Sequence, residues 1–219
     1  MSDIFREVDE DVRRDKAEEF WRKYQNYFLA AAILVVIATA GWRYWDSQRL
    51  QSAQAAGARF DAALELERSG KDAEAAAAFG KLAADAPGGY RLLSRFAEAG
   101  VLAKSDPAKA IAAYDALADD ASAGALFQES ARLRAALLRL DAGQTDKAKV
   151  ALEGLAAPGG AYRATAQEML GAVALGAQDW AGAGKWLDLA VSDPDAPRGV
   201  REAAEQLLGL VGSEKPAPK

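Results

Sequence analysis

The chain contains no histidine and no cysteine. The first absence removes the usual base of Ser-His and Cys-His nucleophile pairs; the second removes thiolate chemistry, disulfides and sulfur ligands for zinc. Glycine-rich phosphate loops, EF-hand loops and dinucleotide fingerprints are missing too, and "PGG" at Pro87 and Pro158 reads as an inter-helix turn. No enzyme is expected, and no catalytic residue, cofactor, metal or small-molecule substrate. Without disulfides, stability in an oxidising compartment has to come from packing. Neither half of the chain carries an excess of base: residues 1–23 hold six bases and eight acids, and residues 43–219 hold twenty-one and twenty-four. A nucleic-acid surface is therefore not expected.

Long apolar runs are equally scarce, with one exception. "YQNYFLAAAILVVIATAGW", residues 24–42, has no charge in a chain that is 27% charged. A hydrocarbon core about 30 Å thick needs roughly 20 apolar residues, and this stretch is apolar on every side. Trp21, Tyr24 and Tyr27 stand at one end and Trp42, Tyr44 and Trp45 at the other, as rings do at the two headgroup levels of a bilayer. These six are the candidate membrane-interface residues. Two alternatives oppose a permanent anchor: a buried core helix, and a cleavable signal ending at Ala38-Thr39-Ala40. The long acidic region ahead of the stretch, and its length, are unlike a signal peptide. The stretch holds no ionisable residue and no Gly-xxx-Gly motif, so it offers neither a transport pathway nor that dimerisation face.

Orientation follows the bases near the span. Arg6, Arg13, Arg14, Lys16, Arg22 and Lys23 precede it, whereas only Arg43, Arg49 and Arg59 follow within a similar distance. The N-terminus is expected in the cytoplasm, which in a bacterium places the rest in the periplasm. Ahead of the span, Ile4, Phe5, Val8, Val12, Phe20, Trp21 and Tyr24 form a narrow apolar stripe on a charged helix. It suits docking on a membrane partner's cytoplasmic face or lying along the headgroups.

Beyond Ser52 the chain is dense in helix formers and punctuated by Gly and Pro. A small, large, apolar triplet recurs: Ala75, Phe79, Leu82; Ala110, Tyr114, Leu117; Ala148, Leu152, Leu155; Ala183, Leu187, Ala190. The spacings of 35, 38 and 35 residues are close to the period of about 34 of tetratricopeptide repeats, in which helix pairs stack. Ala63, Ala136 and Leu170-Gly171 supply small positions on the first helices, where close approach is needed. The second repeat is the weakest, because Glu98 fills its small position and no proline closes it. Gly70 and Gly143 suit left-handed helix ends, and residues 197–212 read as a capping helix. Asp119-Asp120 and Asp193-Pro-Asp195 are paired acids that read as solvated loops rather than as an acid-base or calcium site.

The expected fold is all-α: a single transmembrane helix followed by a tetratricopeptide-like α-solenoid of about four helix pairs plus a capping helix. Its expected parts are a cytoplasmic charged amphipathic tail (1–23), the transmembrane helix (24–45), the repeat domain (46–212) and a disordered tail (213–219).

The acidic start "FREVDEDVRR", the span ending in "GWRYW" and the Ala-rich helix pairs from Ser52 together resemble the ancillary Sec-translocon subunit family, bitopic inner-membrane proteins with a periplasmic tetratricopeptide-like domain. The resemblance implies association with the SecYEG translocon and with periplasmic chaperones, and supplies no catalytic residue. A second reading stays open: a structural accessory subunit of another inner-membrane complex, its span packed against partner helices. In both, the chain is a single-pass protein of the bacterial inner membrane whose partners are the lipid bilayer and other proteins.

Overall fold

The computed structural model describes residues 3–214, with side chains over 21–212. The chain divides into two compact units, Met1–Gln54 and Ala55–Lys219. Helix α1 (Asp3–Arg68) runs for 66 residues. Its stretch from Trp21 is the one helix among the described residues long and apolar enough to cross a membrane. Ile33, Leu34, Val35, Val36 and Ile37 are all exposed, which excludes the buried core helix. Thr39 donates its hydroxyl to the carbonyl of Val35, so the polar group within this apolar stretch is satisfied by its own helix. The side chains of the apolar stripe ahead of Trp21 lie outside the described residues.

The second unit is a stack of helix pairs. Residues 55–68 of α1 pair with α2 (Asp72–Asp85), α3 (Gly88–Ser105) with α4 (Pro107–Ala118), α5 (Ala125–Asp141) with α6 (Thr145–Leu155), and α7 (Arg163–Gly176) with α8 (Trp180–Ser192); α9 (Arg198–Glu214) follows. One turn of 3-10 helix (Ala121–Ala123) precedes α5. Four helix pairs with a final helix are the expected all-α repeat architecture. From residue 215 the expected disordered tail lies outside the described residues, while residues 213 and 214 belong to α9.

All twelve residues of the recurring triplet are buried. Each triplet therefore forms the inner stripe of a second helix, packed against Ala63, Ala99 or Ala136 of the first helix in the first three pairs and against Ala174 and Leu175 in the fourth. Helix α9 covers Ala183, Leu187 and Ala190 with Ala204 and Val211, burying the face that the last pair would otherwise expose. The turns follow from local chemistry. Gly70 and Gly143 take φ of 74° and 72°, the left-handed geometry that glycine adopts without a Cβ clash. In the fourth pair Gln178 carries that conformation instead, with φ 60°. Asp106 and Asp179 begin α4 and α8 by accepting the backbone N–H of Lys109 at 3.1 Å and Gly182 at 2.9 Å, each satisfying an orphan donor of the first turn.

The second repeat is not the exception the sequence suggested: its small position is filled by Ala99, buried against Tyr114 and Leu117, and not by Glu98, the residue before it. Glu98 is half-buried against α2, where Gly80 leaves room: a Cβ on Gly80 would lie 3.0 Å from the Glu98 carboxylate. Burial pushes the Glu98 carboxyl above its ordinary range, since desolvation disfavours the charged form.

Candidate interaction site

First helices of three successive pairs lie side by side around a cleft of about 380 Å³, lined by Glu67, Phe96, Ala97, Gly100, Tyr114 and Arg134. Phe96 is its aromatic wall. Its ring centroid lies 6.0 Å from that of Tyr114 and 5.5 Å from that of Phe127, the tilted spacing that aromatic pairs prefer. Tyr114 comes from α4 and is buried except where it reaches this cleft. The repeat positions explain the arrangement: the large residue of the second-helix triplet passes between two first helices.

The charges at the cleft divide into committed and free groups. Lys104 donates to Glu67 at 3.0 Å and to Asp72 at 3.2 Å; these carboxylates, Glu67 first, hold the ammonium charged to higher pH than usual. Arg134 is exposed and makes no hydrogen bond or ion pair among the described residues. Leu93, Leu126 and Phe127 add exposed apolar surface on α3 and α5. An aromatic wall, apolar rim and free guanidinium suit a protein segment bearing apolar and acidic side chains. No arrangement of nucleophile and base accompanies them.

The six aromatic residues predicted from the sequence lie elsewhere, on α1 in the first unit. Trp21, Tyr24, Tyr27, Trp42, Tyr44 and Trp45 are all exposed. The Tyr24 ring lies tilted against that of Tyr27, centroids 6.3 Å apart, and Lys23 lies 5.7 Å from the Tyr24 ring.

The paired acids require a correction. Asp119 and Asp195 are exposed, but Asp193 is buried and Asp120 is partly covered, so neither pair is simply a solvated loop. Arg163 grips Asp193 through Nε–Oδ2 at 2.6 Å and Nη2–Oδ1 at 2.5 Å, and this guanidinium holds the carboxyl below its ordinary range. Asp120 accepts hydrogen bonds from Ser122 and Arg95. Ser122 first, then Arg95, lower its carboxyl to about 2. Arg59 and Asp85 form a third such clasp at 3.1 Å. Each ties a first helix to the end of its own second helix, over separations of 26, 25 and 30 residues. The matching separations of 26 and 25 residues are a sequence signal for the first two clasps, alongside the triplet, and the 30 of the last departs from it.

These features define a helical-repeat protein built to hold other proteins, with an apolar helix ahead of the repeats. Residues 18–206 match the family model described as tetratricopeptide repeat-like domain, and the chain belongs to that family. Domains of this kind are typically interaction modules without catalysis. No curated protein and no solved structure matches the chain.

Proposed function

We propose that this protein is a membrane-anchored, non-enzymatic interaction subunit that works beside the SecYEG translocon, where its repeat domain meets translocated proteins and periplasmic chaperones. The observation that carries the reading is the extent of the family match, which begins at residue 18, ahead of the apolar stretch, and continues to residue 206. Anchor and repeats belong to one inherited unit, as a module needs if its task is to stay at the membrane. The proposed organisation is a cytoplasmic tail (1–23), a transmembrane helix (24–45) and a periplasmic repeat domain (46–212). Trp21 and Trp42 stand twenty-one residues apart on one helix. That separation is about 31 Å of rise, against a hydrocarbon core of about 30 Å, and supports placing the six aromatic residues at the two interfaces. The self-satisfied Thr39 hydroxyl favours a lone anchor over a span packed by polar contacts against partner helices.

Purification of the full chain in mild detergent after in-cell crosslinking tests the proposal. Co-recovery of Sec components is expected. Stoichiometric recovery of another complex without them would overturn the Sec assignment. A reporter active only in the periplasm, fused after Lys219, is expected to be active; an inactive fusion would reverse the orientation.

A further inference from the structure

The ends of the second helices are treated alike in the first, second and fourth pairs and differently in the third. At the end of α2, Arg91 Nε donates to the carbonyl of Ala86 at 3.3 Å. At the end of α4, Arg95 Nη2 donates to Ala116 at 3.5 Å and Arg132 Nη2 to Ala118 at 3.0 Å. Beyond α8, Arg201 Nη2 donates to the carbonyls of Asp193 at 3.1 Å and Ala196 at 3.5 Å. A guanidinium at this place bonds a carbonyl at or near the helix end and meets the negative end of the helix dipole. At the end of α6 no arginine of the chain donates to a carbonyl, and those of Glu153, Gly154 and Leu155 accept nothing among the described residues.

The linker sequences show where the arginine stands instead. The linker after α2 reads Ala86-Pro87-Gly88-Gly89-Tyr90-Arg91, and the linker after α6 reads Ala157-Pro158-Gly159-Gly160-Ala161-Tyr162-Arg163. The two differ by one inserted residue, Ala161. Its backbone N–H donates to Glu129 Oε2 at 2.8 Å, and the displaced Arg163 is taken by Asp193. What remains at the end of α6 is a cleft of about 580 Å³. Glu129 lines it and has no cationic partner, while Val150, Ala151 and Leu155 form an apolar wall. Arg132 is the one cation on the lining, and it is bound to the end of α4.

We propose that this cleft takes an arginine side chain of a protein partner, which supplies the guanidinium that the other three helix ends obtain from the chain itself. The fork donates to the open carbonyls of α6 and to the free oxygen of Glu129, while the aliphatic stem lies along Val150 and Leu155. The planar fork favours arginine over lysine. This site is separate from the cleft at Phe96. It rests on the reading of the domain as a protein-binding module, but not on the Sec assignment.

The test is an NMR titration of the full ¹⁵N-labelled chain in detergent micelles with N-acetyl-arginine amide. Saturable shifts are expected at the amides of Gly154, Gly159, Gly160 and Ala161, with weaker binding of N-acetyl-lysine amide and none of N-acetyl-norleucine amide. Glu129→Gln keeps an acceptor for Ala161 and is expected to weaken binding about tenfold, the size of a charge-assisted hydrogen bond. Val150→Arg, at an exposed position on the cleft's lip, is expected to cover the carbonyls from within and abolish the shifts while helical content is kept. Absence of saturable shifts, equal response to the norleucine probe, or full binding in either variant would overturn the proposal. The titration contains no Sec component, so failure to recover the translocon and failure to bind arginine are independent results.

Discussion

Gly171 of α7 and Leu187 of α8 meet so closely that a Cβ on Gly171 would lie 2.5 Å from Leu187 Cγ. Both residues are buried, and the atom in the way is a branch point inside the core rather than the tip of a flexible chain. Alanine at 171 would gain helix propensity of up to about 1 kcal/mol, yet overpacking of this kind costs about 1–3 kcal/mol. The second effect wins. Gly171→Ala is expected to destabilise the domain by about 1–2 kcal/mol in urea unfolding. A companion Leu187→Ala change should recover part of the packing strain while leaving its own cavity, so the two effects should be non-additive.

That contact also indicates how much of the fold was legible in the sequence. The triplets and the small first-helix positions repeat with a fixed period, because each helix pair has to solve the same packing problem, so the stack of pairs could be read directly. The clasps were less legible. Asp193 looks like any loop acid until Arg163, thirty residues earlier, is known to face it. The cleft at Phe96 and the bare end of α6 were not legible, since both depend on side chains brought together from several helices. The inserted Ala161 was present in the sequence, but its consequence appears only where Arg163 turns away.

Acid should act on the domain in two opposing steps. Glu98 and Glu168 are pushed up by burial, so their ionisation costs stability at neutral pH. That cost is relieved as pH falls through their raised values toward the ordinary range near 4.5. Asp120 and Asp193 are held down, so their contribution is complete above the unfolded value of about 3.9 and is lost as pH falls toward the folded one, about 2 for Asp120. Urea midpoints are expected to rise slightly on moving from pH 7 to 5 and to fall below pH 4. Glu98→Gln with Glu168→Gln should raise the midpoint at pH 7 and remove the rise. A midpoint that falls steadily from pH 7 in the parent chain would contradict the first step.

Gln178 holds φ of 60° at a place where the first and third pairs use Gly70 and Gly143. A side chain in the left-handed region costs about 1 kcal/mol or slightly more, offset in part by the larger unfolded-state entropy of glycine. Gln178→Gly is expected to stabilise the domain by up to about 1 kcal/mol, measured by urea unfolding. Gln178→Val, which puts a β-branched residue there, should do the reverse.

Gln167 stands four residues before Gly171, the small position of the fourth pair, just as Arg59, Arg95 and Arg132 stand four before Ala63, Ala99 and Ala136. The three arginines reach partners: Arg59 bonds Asp85 at 3.1 Å, Arg95 bonds Asp120, and Arg132 bonds the carbonyl of Ala118 at 3.0 Å. Gln167 is buried with Oε1 unpaired, and Ser94, the residue before Arg95, has a fully buried Oγ that makes no hydrogen bond. A buried polar atom without a partner costs about 1–3 kcal/mol, and neither residue contributes to the cleft at Phe96 or to the end of α6. Ser94→Ala and Gln167→Met are each expected to raise stability by about 1 kcal/mol in urea unfolding, with additive effects because different helix pairs hold them. A loss of stability in Ser94→Ala would mean that its hydroxyl has a partner, such as a buried water, and would contradict the prediction.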